Sequence, residues 1–94
     1  MATLHTLNRG PSHANCLSDC LSSMADGDTL LLIEDGVYWI LPIYISALKN
    51  ASHIRALKAD VEARGLQQLT GFGLVDDDGF VTLCTEHDRV VSWF

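Results

Sequence analysis

Positive charge is scarce in this chain. Six Lys plus Arg stand against twelve Asp plus Glu, for a formal net charge of −6. Direct, backbone-driven binding of nucleic acid needs a basic patch, and so does docking on anionic lipid, so the balance argues against both. Long apolar runs are missing as well. The longest, residues 37–45, falls short of the roughly 20 residues that cross a bilayer, and Pro42 interrupts it. The first eight residues have no charged n-region and no apolar h-region, so no signal peptide is read. There is no C-x-x-C pair, and the three cysteines are an odd number without secretory context. The expectation is reduced thiols in a cytoplasmic protein. No glycine-rich phosphate loop and no G-x-S-x-G elbow occurs, which removes the usual nucleotide and acyl-transfer signals.

What is present is a core. Apolar residues make up 48% of 94 positions, enough for one folded domain over residues 1–94 and too short a chain for two. A domain this small buries only part of its surface, so the apolar excess points to a partner. No linker, repeat or low-complexity tract divides it.

Residues 2–7 suit a buried first strand. Residues 8–12 form a turn in which Pro11 is placed to open a helix. Ala14, Leu17, Leu21 and Met24 then recur at helical spacing, and Gly27 marks the stop. Residues 29–33 are continuously apolar, as in a parallel strand covered on both faces, and Glu34-Asp35-Gly36 turns the chain at its end. Residues 37–48 read as helix or irregular turn broken at Pro42. Residues 54–57, 71–75 and 90–93 read as strands. Residues 59–64 read as a short helix closed by Gly65, and Asp76-Asp77-Asp78 as the cap of another that carries Phe80, Val81, Leu83 and Cys84. Alternating strands and helices predict an α/β layered domain with a mostly parallel sheet.

Cys16 and Cys20, four apart, share one helix face. Cys20 borders the apolar stripe. Either both are small core hydrophobes, or one is a persulfide carrier whose thiolate takes the outer sulfur of a donor. Neighbouring Asp19 disfavours a thiolate at Cys20, so a reactive Cys20 needs a cation from elsewhere. His13, Cys16 and Cys20 with Cys84 and His87 offer zinc-ligand types, but without a knuckle and in separate elements, so no metal is assigned. His5 and His53 read as structural histidines. The acidic turns at residues 34–36 and 76–79 follow strands, where sites gather in parallel sheets, but cap and turn duty explains them first.

Three segments together resemble the TusB/DsrH family. They are Leu4-His5-Thr6-Leu7-Asn8-Arg9 with Pro11, Leu30 through Tyr38 with Glu34-Asp35-Gly36, and Val75-Asp76 with Gly79-Phe80-Val81, Leu83, Thr85 and Ser92-Trp93. Residues 56–66 fit as well, so the likeness runs nearly end to end. The resemblance implies a three-layer α/β/α sandwich around a five-stranded, mainly parallel sheet, and no cofactor. It also implies a heterohexamer with TusC/DsrF-like and TusD/DsrE-like subunits, which takes persulfide sulfur from a small carrier of TusA type. In the Tus branch the sulfur ends in 2-thiouridine at the tRNA wobble position; in the Dsr branch it feeds sulfur oxidation. The main acceptor cysteine of such complexes lies on the TusD/DsrE-type subunit, and Cys20 matches the first-helix cysteine of DsrH-like members. Three readings follow: a mainly structural relay subunit with Cys20 as auxiliary persulfide site, a purely structural subunit, and an independent metal- or redox-sensing module on Cys16, Cys20 and Cys84. Residues 39–46 depart from the family pattern.

Overall fold

A computed structural model describes residues 2–49, 51, 53–66 and 73–94. The strands are β1 (Thr3–Leu7), β2 (Thr29–Leu32), β3 (Ile54–Leu57), β4 (Gly73–Val75) and β5 (Arg89–Trp93), and the α-helices are α1 (Ala14–Ser23), α2 (Lys58–Ala63) and α3 (Asp77–Glu86). The part of the expected fourth strand at residues 71 and 72 lies outside the described residues. The strands form one sheet in the order β4-β3-β2-β1-β5, and every pairing is parallel.

This order dictates the layers. The connections from β1 to β2, β2 to β3 and β3 to β4 all step towards one edge. Right-handed crossovers therefore put α1, the segment after β2 and α2 on one face. The step from β4 to β5 runs back past the whole sheet, so the same rule sends α3 to the other face. The strand alternation agrees. Leu7, Leu30, Leu32 and Ala56 point to the first face and pack with Leu17, Cys20, Val37, Trp39, Ile40, Leu48 and Val61 in one cluster. The opposite face carries Leu4, Thr6, Thr29 and Leu31, all buried, and α3 reaches it where His87 Nε2 and Thr29 Oγ1 lie 3.0 Å apart. The sheet is thus the middle of a three-layer α/β/α sandwich.

Local chemistry explains the boundaries. Pro11 opens a 3-10 turn, Pro11–His13, that leads into α1. Asp76 caps α3: its Oδ1 accepts from the Gly79 N–H at 2.7 Å. Residues 37–48 contain no α-helix. Two 3-10 segments, Glu34–Ile40 and Ile45–Leu48, flank the break at Pro42. The first includes the Glu34-Asp35-Gly36 turn, where Gly36 lies so close to β1 that an added Cβ would clash with the Leu7 carbonyl oxygen.

Candidate functional site

All five strands point the same way, so their carboxyl ends share one edge. β1 is the strand from which the order runs both ways, with β2 on one side and β5 on the other. In open parallel sheets the crevice at such a reversal is where ligands bind, because the connections leave in opposite directions and part the layers there. Two open clefts occupy this place. One, of about 560 Å³, is lined by Arg9, Pro11, His13, Asn15, Cys16 and Phe94 among others. The other, of about 390 Å³, lies across the Arg9–His13 loop against Asp35, Tyr38, Leu41 and Tyr44.

The loop between the clefts is held from below. The Trp39 indole N–H donates to the Arg9 carbonyl at 2.9 Å. The turn after β2 is fastened to α2. Glu34 adopts a left-handed backbone (φ 49°), and its N–H donates to Asp60 Oδ2 at 2.7 Å. The Arg64 guanidinium donates to Asp35 Oδ1 at 3.0 and 3.1 Å and lies over the Tyr38 ring. Together these contacts fix the residues that face the clefts.

The cysteines fall in different surroundings. Cys20 is 0% exposed within the core cluster. Burial first, and the neighbouring Cys16 second, push its thiol up to about 12, far from the thiolate that sulfur exchange needs. Cys16, one turn earlier, is half-buried and lines the larger cleft together with Arg9 and His13. Cys84 is half-buried on α3, across the sheet from both. The structure therefore does not bring Cys16, Cys20 and Cys84 together, and among the described residues no three His, Cys, Asp or Glu side chains group as metal ligands. His5 is satisfied at both ring nitrogens, by Asp28 and Trp93. Arg9, Phe94 and the cleft face of Cys16 are what residue patterns alone missed. The one available signal was that Arg9 closely follows the first strand and Phe94 the last; that these strand ends adjoin depends on the strand order.

Five parallel strands between two helical layers, with an open crevice at their carboxyl edge, define the class as a small three-layer α/β/α domain. Comparison with known proteins narrows it. The family model described as DsrH like protein matches residues 9–90, and the chain belongs to that family. Curated proteins named Protein TusB are similar over nearly their whole length: 41% identity for that of Enterobacter sp. (strain 638) and 36% for that of Escherichia coli (strain K12), each covering 96% of this chain and 99% of the relative. Protein Tm0979 of Thermotoga maritima, solved by solution NMR, superposes with a TM-score of 0.70 at 27% identity, covering 92% of this chain and 93% of that one. Among the described residues no helix is long and apolar enough to cross a membrane.

Proposed function

We propose that this chain is a subunit of a cytoplasmic sulfur-relay complex. It joins TusC/DsrF-like and TusD/DsrE-like subunits in a heterohexamer, and persulfide sulfur from a TusA-type carrier passes through the assembly towards 2-thiolation of the tRNA wobble uridine. The observation that carries the reading is the near full-length match to proteins named TusB. The exposed apolar side chains of Ile43 and Phe94 (78% and 79% exposed) support a subunit that is covered in use. The net charge of −6 leaves tRNA contact to other chains. In this reading the chain is mainly structural, with an auxiliary persulfide thiol on α1, at Cys20 as the family likeness implies or at the more open Cys16.

The burial of Cys20 favours a second reading, in which the subunit does no chemistry at that thiol. Both are tested by co-expressing the chain with its TusC- and TusD-like neighbours. Co-elution in one complex is expected, together with loss of wobble 2-thiouridine from cells that lack the chain. A chain that elutes alone from such a mixture, in cells whose thiouridine is unchanged by its deletion, would sink the assembly role. A Cys20→Ser complex that loads sulfur on this subunit as the wild type does would remove the auxiliary role of Cys20 only.

A further inference from the structure

We propose that Cys16, a half-buried residue of the 560 Å³ cleft lining, is the thiol through which this chain accepts sulfur from a persulfide, with Arg9 as the cation that attends the exchange. The proposal deepens the sulfur-relay reading and rests on it. Several independent features converge on the cleft. It lies at the reversal point of the sheet, the place in this fold that a ligand reaches without parting packed layers. Its volume is in the range of small-molecule sites, roughly 300–1,000 Å³. Its wall combines a nucleophile (Cys16), a permanent cation (Arg9), an imidazole (His13) and an apolar side (Pro11 and Phe94) suited to a soft sulfur. Cys20, four residues further along α1, has none of this access.

The exchange balances without an added oxidant. The Cys16 thiolate attacks the outer sulfur of R–S–SH. A new S–S bond forms to Cys16, the old one breaks, and its electron pair leaves on R–S⁻. The proton given up by Cys16 ends on R–S⁻, so the products are Cys16–S–SH and R–SH. Negative charge sits on Cys16 before attack and on the leaving sulfur afterwards, and the positive charge of Arg9, a residue of the same cleft lining, lowers the energy of both. The Trp39 bond to the Arg9 carbonyl holds the Arg9 backbone at the cleft wall.

The test incubates the full chain with glutathione persulfide, with a protein of known persulfide-accepting thiol as positive control. Intact mass and fragment-ion mapping then locate the added sulfur. The expected result is a gain of about 32 Da, one sulfur atom, mapped to Cys16, absent in Cys16→Ser and formed roughly fivefold more slowly in Arg9→Gln. Timed alkylation of the native wild type adds a readout that needs no variant: Cys16 should be modified ahead of Cys84 and well ahead of Cys20. Sulfur mapped to Cys20 or Cys84, or no gain while the control loads, would overturn the proposal. Either result leaves the assembly role intact, because co-elution with the partner subunits is measured separately.

Discussion

The Trp93 indole N–H donates to His5 Nδ1 at 3.0 Å, and that one bond decides the tautomer of the His5 ring. Indole nitrogen is a donor only, so Nδ1 must be the acceptor and the proton of the neutral ring sits on Nε2. From there it reaches Asp28 Oδ2 at 2.9 Å. The carboxylate also accepts from the N–H groups of Thr3 and Ala25. A buried chain of donors thus runs from β5, through β1, to the loop before β2, and it ties three adjacent pieces of the sheet together.

The tautomer is open to direct measurement. Long-range proton–nitrogen spectra should show His5 protonated at Nε2 and bare at Nδ1. Trp93→Phe keeps a ring in place but removes the donor, and should cost about 1–2 kcal/mol in urea unfolding. A ring protonated at Nδ1, or a variant as stable as the wild type, would contradict the network.

Asp28 links this network to pH. Burial opposes its charge, but the N–H groups of Ala25 and Thr3 and then His5 outweigh burial and hold the carboxyl down at about 2, from an ordinary 3.8. A group depressed by folding stabilises the native state fully above its unfolded value. The contribution is lost as pH falls from about 4 towards about 2. It amounts to roughly 2 kcal/mol at neutral pH. Asp28→Asn should therefore be clearly less stable than wild type at pH 7, with the gap narrowing below pH 4. A gap that stays constant down to pH 2 would show that the carboxylate charge plays no part.

Gly36 has no room to change. A methyl group there would meet the Leu7 carbonyl oxygen, and the backbone of β1 cannot move aside without losing its own pairing with β2 and β5. Gly36→Ala should destabilise by about 3 kcal/mol or more, or fail to fold. Ala substituted at Gly79, where the nearest contacts are 3.2 Å to the Asp76 and Val75 side chains, should be better tolerated. Paired thermal melts compare them, and equal losses would remove the distinction.

Much of this architecture is written in local patterns. The unbroken apolar run at β2 announces a strand covered on both sides, and β2 is indeed fully buried along its length. Ile54–Leu57 stands as read, and Asp76 caps α3 as its oxygens suggest. The segment after β2 resists such reading. Its Glu-Asp-Gly turn winds directly into a 3-10 helix and presses Gly36 against Leu7, a contact distant in sequence that no local period announces. The site follows the same rule. Cys20 borders the apolar stripe in sequence, yet whether it is covered depends on the sheet and the other elements whose buried residues share its cluster. That Cys16 shares a cleft with Phe94 depends on β5 pairing beside β1, and strand order is not encoded in periodicity.

That pairing also sets a timetable for synthesis. β1 is made well before its partner along one whole edge, Arg89–Trp93, because the two lie at opposite ends of the sheet-forming sequence. Until residues 89–93 emerge from the ribosome, β1 offers a free row of backbone donors and acceptors beside apolar side chains, the kind of edge that recruits stray strands. Helix α1 and the β1–β2 pair can gather early, but the sheet cannot close around β1 before translation has passed Trp93. A nascent chain of this protein therefore carries a sticky interior strand exposed for the whole interval between the synthesis of β1 and that of β5. Messages truncated before Arg89 should yield aggregates rather than smaller folded domains.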